Sequence, residues 1–478
     1  MRLRSAIVLL LSYAFGCDAS YGEFLNTVPI EDRRANASQP THVFLGVDGI
    51  SRQAFDLARE EGAFAGWHAA DWISVFPAVS DYAWTRILAA DPMPGYETQY
   101  YDPEANKLHN KGLAGVAEHP FSQGLLDPLS CWNSFDYLGN GELWTVKGYL
   151  DPEASLPPTA TEMFRVLERL GRTQPVALAY LMNVDVVSHS GGLQKAVAML
   201  VELDHQIAAF QKRHPGRFTF TMFGDHGNAH KQAELVDPNQ LLREVGVASV
   251  DRLDDVTNLQ AIPIVHVRVN FVSVHTHADM AAEVARRSST HRWVDLAAVN
   301  LGDGHYAVYK NGKALTFSRQ ADGAYLITDP RAWDRLLGSD LMALCQASLC
   351  ENNELSMDDE RSFALTHNSR YPDPFHRIAT AFTDAAARNP PEVILSMPDE
   401  VSSFGFHLPG GSDHAAIDGF HGALTRGSSL SVMASQAHEL PEALRAETLL
   451  TLFPELREHL QQQRSEAAAP TRSPAKGD

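Results

Sequence analysis

The chain has 478 residues, 44% of them hydrophobic, enough to bury a large core and too many for one small domain. Its 59 acidic residues against 39 basic ones leave a formal net charge of −20, so a nonspecific hold on nucleic acid or on an anionic membrane surface is disfavoured. An anionic ligand would need a local positive centre, such as a metal ion, rather than the field of the whole protein.

Residues 1–17 read as an export signal: Met1 to Arg4 supply a basic start, Ala6 to Leu11 an apolar run, and Gly16 a small residue before Cys17. That run is too short to span a membrane, and no later segment is long and apolar enough. Ala14-Phe15-Gly16-Cys17 resembles a bacterial lipobox, whose cysteine carries lipid after cleavage, although leucine is usual where Ala14 stands. The expectation is an exported chain, either secreted or periplasmic, or held to a membrane by lipid on Cys17. A polar linker follows over residues 18–40.

Val43 to Val47 is a continuous apolar run ending at Asp48-Gly49, the signature of a parallel strand buried on both faces. A helical pattern follows near Arg52 to Glu61, then a short strand over Ile73 to Phe76 and a helix from about Asp81. Thr159 to Leu170 is amphipathic with a threonine start, Val176 to Met182 reads as a strand, Leu193 to His214 as a long helix, and Arg217 to Met222 alternates like a strand. Strands alternating with helices predict an α/β fold with a mostly parallel central sheet flanked by helices.

From Asn239 to Asn389 the texture changes, with a hairpin signal at Asn311-Gly312, and this region reads as an inserted or accessory α+β lobe between core parts 41–238 and 390–464. Val393 to Ser396 and Ser429 to Met433 read as strands returning to the core, followed by a helix from about Glu442 to Gln461. The tail 465–478 reads as disordered. Of the four cysteines, Cys345 and Cys350 are close enough for a local disulfide and Cys131 is left as a buried thiol. A thiolate metal site is not expected, because no CxxC pair is present.

Acidic residues recur where strands end: Asp48, Asp185 and the pair Asp225-His226 in Phe223-Gly224-Asp225-His226-Gly227-Asn228. In open α/β sheets the carboxyl ends of strands form the ligand crevice, so these positions converge on one edge. Asp185 and His189, with three residues between them, can turn toward one ion, and His421 sits between glycines in Gly419-Phe420-His421-Gly422. Carboxylate and imidazole together suit zinc, or manganese or iron, and three Asp with three His are about what two divalent ions need. Ser80, in Phe76-Pro77-Ala78-Val79-Ser80-Asp81-Tyr82, follows a strand at the start of a helix and is the candidate nucleophile.

In the order Val47-Asp48-Gly49, Phe76 to Ser80, Asp185 to His189, Gly224 to Gly227 and Gly419 to Gly422, the chain resembles the alkaline phosphatase superfamily, and within it the type I phosphodiesterase and nucleotide pyrophosphatase branch. The resemblance implies one zinc held by Asp185, His189 and His421, a second held by Asp48, Asp225 and His226 and shared with Ser80, and a small phosphate-ester substrate cleaved through a phosphoryl group on Ser80. That branch usually has threonine as nucleophile and an asparagine a few residues on; here Ser80 stands at the first position and Ala83 near the second. Asn183 or the amide of Asp81 are candidates to replace the asparagine. A phosphomonoesterase and a noncatalytic metal-binding surface protein are the alternatives. The sulfatase relatives need a CxPxR-like context that Val79-Ser80-Asp81 lacks, and the related phosphomutases are cytoplasmic.

Each residue also has a plainer reading. Asp48 could cap the following helix, Ser80 could be an N-cap and His189 a loop histidine. His414 and His407 compete with His421 for the ligand role. His275 and His277 read as surface loop histidines, and His230 as lying on an exposed helix.

Overall fold

The computed structural model describes residues 40–97, 99–109, 131–139, 152–254, 258–266, 269–346, 350–383, 387–403 and 419–468. The export signal with Cys17, nearly all of the linker, His407, His414 and the tail beyond residue 468 lie outside the described residues.

Among the described residues the chain builds two large sheets. The first contains β1 (Thr41–Val47), β2 (His68–Ile73), β3 (Tyr137–Leu138), β4 (Val176–Leu181), β5 (Phe218–Phe223), β6 (Leu430–Ser435) and β7 (Ala443–Arg445), in the order β7-β2-β6-β5-β1-β4-β3. β1 runs parallel to β4 and β5, and β2 and β7 run the same way; β6 alone is reversed, pairing antiparallel with both β2 and β5. The expected mostly parallel sheet flanked by helices is what the chain forms.

The continuous apolar run of β1 follows from burial on both faces. Phe44 points into one core cluster beside Trp84 and Tyr180, while Val43, Leu45 and Val47 point into another. The second cluster is filled by helices α1 (Arg52–Glu60), α3 (Pro152–Leu170) and α4 (Asn183–Arg213), through Phe55, Met163, Leu167, Leu200 and Leu203, with α2 (Ser80–Ile87) on the other face. On that Phe44 side stand α2 and α5 (Pro454–Ala468), through Trp84, Ile87, Leu456 and Leu460. Emptying the Phe44 position to alanine would cost about 3–5 kcal/mol.

The second sheet holds ten strands, nearly all antiparallel, spanning residues 248–357 plus one later strand. Its hairpin at Asn311-Gly312 has both turn residues at positive φ, 50° and 76°, as the sequence predicts for a two-residue turn. Its later strand is Val393–Ser396, which pairs with Phe271–His275 on one side and Leu296–Gly302 on the other. That corrects the expected return to the core at residue 390: a short, wholly buried apolar strand fits the middle of either sheet, and pairing partners remote in the sequence decide between them. One apolar cluster contains both Trp84 of the first sheet's flank and Leu296, Phe317, Tyr325 and Phe375 of the second region, so the two sheets share a core.

Other boundaries also moved. The strand expected at Ile73 to Phe76 is His68–Ile73; its polar Asp71 and exposed His68 obscured the pattern, and Ser74 onward leads as extended chain through a cis Phe76–Pro77 bond to Ser80. α4 begins ten residues before the expected Leu193, interrupted at Gly192, so Asp185 and His189 lie on a short helix and not a loop. The single helix expected from Glu442 to Gln461 is β7, two short turns and α5, which continues through residues 465–468. Cys345 and Cys350 form a disulfide and Cys131 is a buried free thiol. Among the described residues no helix is long and apolar enough to cross a membrane.

Candidate functional site

All seven side chains singled out in the sequence meet at one edge of the first sheet. β1 ends before Asp48, β4 before Asp185 and β5 before Asp225 and His226, and the β1 register pairs Val47 with Leu181 and Gly46 with Phe223, which levels the three strand ends. Ser80 comes from the chain leaving β2. Because β6 is reversed, its beginning lies at this same edge, and His421 sits in the segment that leads into it.

The distances fall in a narrow range. Asp48 Oδ1 is 3.3 Å from His226 Nε2, and Asp225 Oδ2 is 3.5 Å from the same nitrogen. His189 Nε2 is 3.1 Å from Asp185 Oδ2, and His421 Nε2 is 3.9 Å from Asp185 Oδ1. Ser80 Oγ donates to Asp48 Oδ1 at 3.3 Å and lies 3.2 Å from His226 Nε2. The rings of His226 and His421 stack at 3.6 Å, and Asp185 belongs with His189 and His421 as well as with Asp48 and His226. All six acids and histidines are buried, and Ser80 is half-buried.

The orientation of the imidazoles is set by the backbone. Nδ1 of His189 faces the carbonyl of Gly419 at 2.6 Å, Nδ1 of His226 that of Gly227 at 2.8 Å and Nδ1 of His421 that of Ala78 at 2.9 Å. A carbonyl only accepts, so each Nδ1 donates and each Nε2 is turned to the acids. A carbonyl partner on the far nitrogen is the usual way a metal-ligating histidine is fixed.

Two further observations test whether divalent ions fit. Asp185 Oδ1 and Asp225 Oδ2 are closed off from solvent and have no hydrogen-bond partner. An unpaired buried carboxylate oxygen is costly, and a cation is the group that satisfies it. Ligands placed about 2.0–2.1 Å from a tetrahedral ion stand about 3.3 Å from one another, close to most of the separations above. The residues present therefore fit a pair of divalent ions.

Charge tells the same story. Burial, then the neighbouring Asp48, pushes the Asp225 carboxyl well above the usual range. Burial would lower His226, but Asp225 and then Asp48 outweigh it and push the imidazole up to about 10. His421 is driven the other way, by burial and by His226. The Asp225 and Asp48 carboxylates are thus in conflict unless positive charge lies between them, whereas Asp185, despite its burial, is held below the usual range by His189 and His421.

The surrounding shell contains residues the sequence did not reveal. Tyr180, one residue before the end of β4, donates its hydroxyl to Asp48 Oδ2 in a short bond; its register opposite Gly46 was the only signal. Arg377, fully buried, donates to the carbonyls of Val75 at 3.0 Å and Leu424 at 3.2 Å and to Ser429 Oγ at 2.6 Å, joining the chain that leads to Ser80 with the chain that follows His421. Asn270 of the second region donates its amide N–H to the His421 carbonyl at 2.8 Å. Ala83 is buried in the apolar core, so no polar side chain replaces the expected asparagine there. Asn183 and Asp81 are both buried near the site's elements; Asp81 accepts from Trp132 Nε1 at 3.1 Å.

His230 lies outside any helix, at a left-handed φ of 47°, with Nε2 2.7 Å from Ser51 Oγ. His275 lies inside a buried strand, 3.4 Å from Glu392, rather than on a surface loop.

No family model and no curated protein matches the sequence. Among solved structures, the chain is similar over 88% of its length to murine ectonucleotide pyrophosphatase/phosphodiesterase 5, covering 95% of that chain at 9% identity with a TM-score of 0.45. It is similar over 89% of its length to phosphonoacetate hydrolase from Sinorhizobium meliloti 1021 in complex with phosphonoformate, covering 96% of that chain at 13% identity with a TM-score of 0.42. Overlaps of that size leave the chemistry to be argued from the side chains.

Proposed function

We propose that this chain is a two-metal phosphoric ester hydrolase that works through a phosphoryl group on Ser80, with phosphodiesters or pyrophosphates as its substrates. The observation that carries the reading is the position of Ser80 Oγ, within 3.3 Å of both Asp48 Oδ1 and His226 Nε2 at the mouth of the acid and histidine cluster. The preference for diesters rests on the order of the sequence motifs and not on the geometry.

Asp185, His189 and His421 would hold one ion, and Asp48, Asp225 and His226 the other, with zinc the first choice for this donor set. When bound, the ions supply the positive charge that draws in a phosphate and offsets the negative charge of the transition state. That supply answers the net charge of −20, which would otherwise repel such a substrate.

The chain's own groups do the rest. Asp48 accepts the Ser80 hydroxyl hydrogen bond and orients the oxygen. Ser80 Oγ forms a bond to phosphorus as the bond from phosphorus to the leaving oxygen breaks, and the leaving oxygen takes a proton. Water then attacks the phosphoserine, Ser80 regains its proton, and phosphate or a phosphomonoester departs. The carbonyls of Gly419, Gly227 and Ala78 hold the three imidazoles in place throughout.

The test is hydrolysis of bis-p-nitrophenyl phosphate and p-nitrophenyl phosphate by the native chain and by Ser80→Ala. Turnover of the diester above the monoester, lost roughly a thousand-fold or more in the variant, supports the reading. Faster monoester turnover moves the assignment to a phosphomonoesterase. No hydrolysis by a metal-loaded native chain favours a binding protein, the reading that the buried Ala83 supports. The N-terminal sequence supports export, with Cys17 as the lipid attachment point, which palmitate labelling of the native chain and Cys17→Ala would test.

A further inference from the structure

A second cluster of ligating side chains lies at the other end of β1. His42 is six residues from Asp48 along an extended strand, roughly 20 Å from the site described above. His42 Nδ1 stands 3.4 Å from Glu455 Oε1 of α5, and the ring of His438, from the segment after β6, stacks on His42 at a centroid distance of 5.3 Å. One ligating atom from each of the three residues lies within 4.8 Å of the others.

We propose that His42, His438 and Glu455 form a separate surface site for a single transition-metal ion of the zinc class, which ties the start of β1 to the C-terminal helix. The two nitrogens and one carboxylate oxygen suit zinc or copper(II) and not calcium or magnesium, which take oxygen donors. The 3.4 Å between His42 Nδ1 and Glu455 Oε1 is close to the edge of a tetrahedron around a zinc ion, about 3.3 Å. His438 is exposed, so solvent reaches the proposed site from its side.

His42 is also held as a ligand should be. Its Nε2 lies 2.8 Å from Thr221 Oγ1, which occupies one nitrogen and leaves Nδ1 toward Glu455. The three residues come from segments far apart in sequence, so an ion here would clasp α5 onto the sheet. The competing account is aromatic packing alone, since His42 and His438 also contact Phe453 at 5.8 and 5.3 Å.

The two accounts separate in equilibrium dialysis of the full chain against zinc, for the native protein, His438→Gln and Glu455→Gln, with thermal unfolding of each in the presence and absence of added zinc. Whatever the central cluster binds is common to all three proteins. The proposal expects each variant to hold one ion fewer per chain than the native protein and to lose a zinc-dependent rise in melting temperature that the native chain shows. Equal ion counts and an equal response to zinc in all three would overturn it. Both substitutions fall on exposed or half-exposed side chains, so the variants keep the fold in which the comparison is made.

Discussion

Gly49 and Asp185 touch in a way that only a residue without a side chain allows: a Cβ at Gly49 would sit 2.6 Å from Asp185 Oδ1. Gly49 also has φ of 64°, where other residues are strained by roughly 1 kcal/mol or more. Since Asp185 is one of three proposed ligands of an ion and also lies beside Asp48 and His226, Gly49→Ala should weaken metal binding by roughly 10- to 100-fold while leaving the fold intact. Metal titration with far-ultraviolet circular dichroism as a control checks this, and unchanged affinity would remove Asp185 from the ligand set.

Tyr180 should matter through Asp48 alone. Tyr180→Phe keeps the ring in the core and removes the hydroxyl that donates to Asp48 Oδ2. A loss of roughly tenfold or more in metal affinity is expected, with a smaller change in stability. Measuring both in one variant separates the two effects.

Arg377 should behave as a structural brace. Its guanidinium carries four hydrogen bonds to Pro372, Leu424, Val75 and Ser429 with no carboxylate in direct contact among the described residues, and burial pushes it down to about 9. Arg377→Met leaves buried carbonyls of Val75 and Leu424 without their donor and should destabilise the chain by about 3 kcal/mol or more in urea unfolding.

A stability change with pH is expected far from the site. Burial would lower His376, but the Asp359 carboxylate 3.4 Å from its Nδ1 and a hydrogen bond with Glu447 outweigh it and raise the imidazole to about 9. A group whose folded value lies above its unfolded value of 6.5 contributes stability that is fully present below pH 6.5 and lost as pH rises through about 9. A rise of that size corresponds to about 3 kcal/mol. Urea unfolding from about pH 6 to about pH 10 should show this loss in the native chain and not in His376→Gln.

What the sequence made legible was local. Asp48, Asp185, Asp225, His226 and Ser80 each follow a strand or open a helix, and the α/β alternation puts such positions on one edge without knowledge of the strand order. His421 was legible only as one of three nearby histidines, because what places it is the reversal of β6 and its contacts to Ala78 and Asn270, residues 343 and 151 positions away in the chain. Tyr180, Arg377 and the true sheet of Val393–Ser396 escaped for the same reason. Each is decided by partners remote in sequence, and a buried apolar strand or a tyrosine in one carries no mark of which neighbour it will meet.

The central claim is a two-ion site in which Asp185, with His189 and His421, holds one of the ions. Metal analysis of His438→Gln, which removes the proposed surface site from the count, set beside the double variant His438→Gln with Asp185→Asn, tests it most directly. The account predicts about two ions per chain in the first and about one in the second, since Asp185 lies with His189 and His421 as the ligands of one ion. A first protein that binds no metal, or a double variant that keeps both ions, would contradict it.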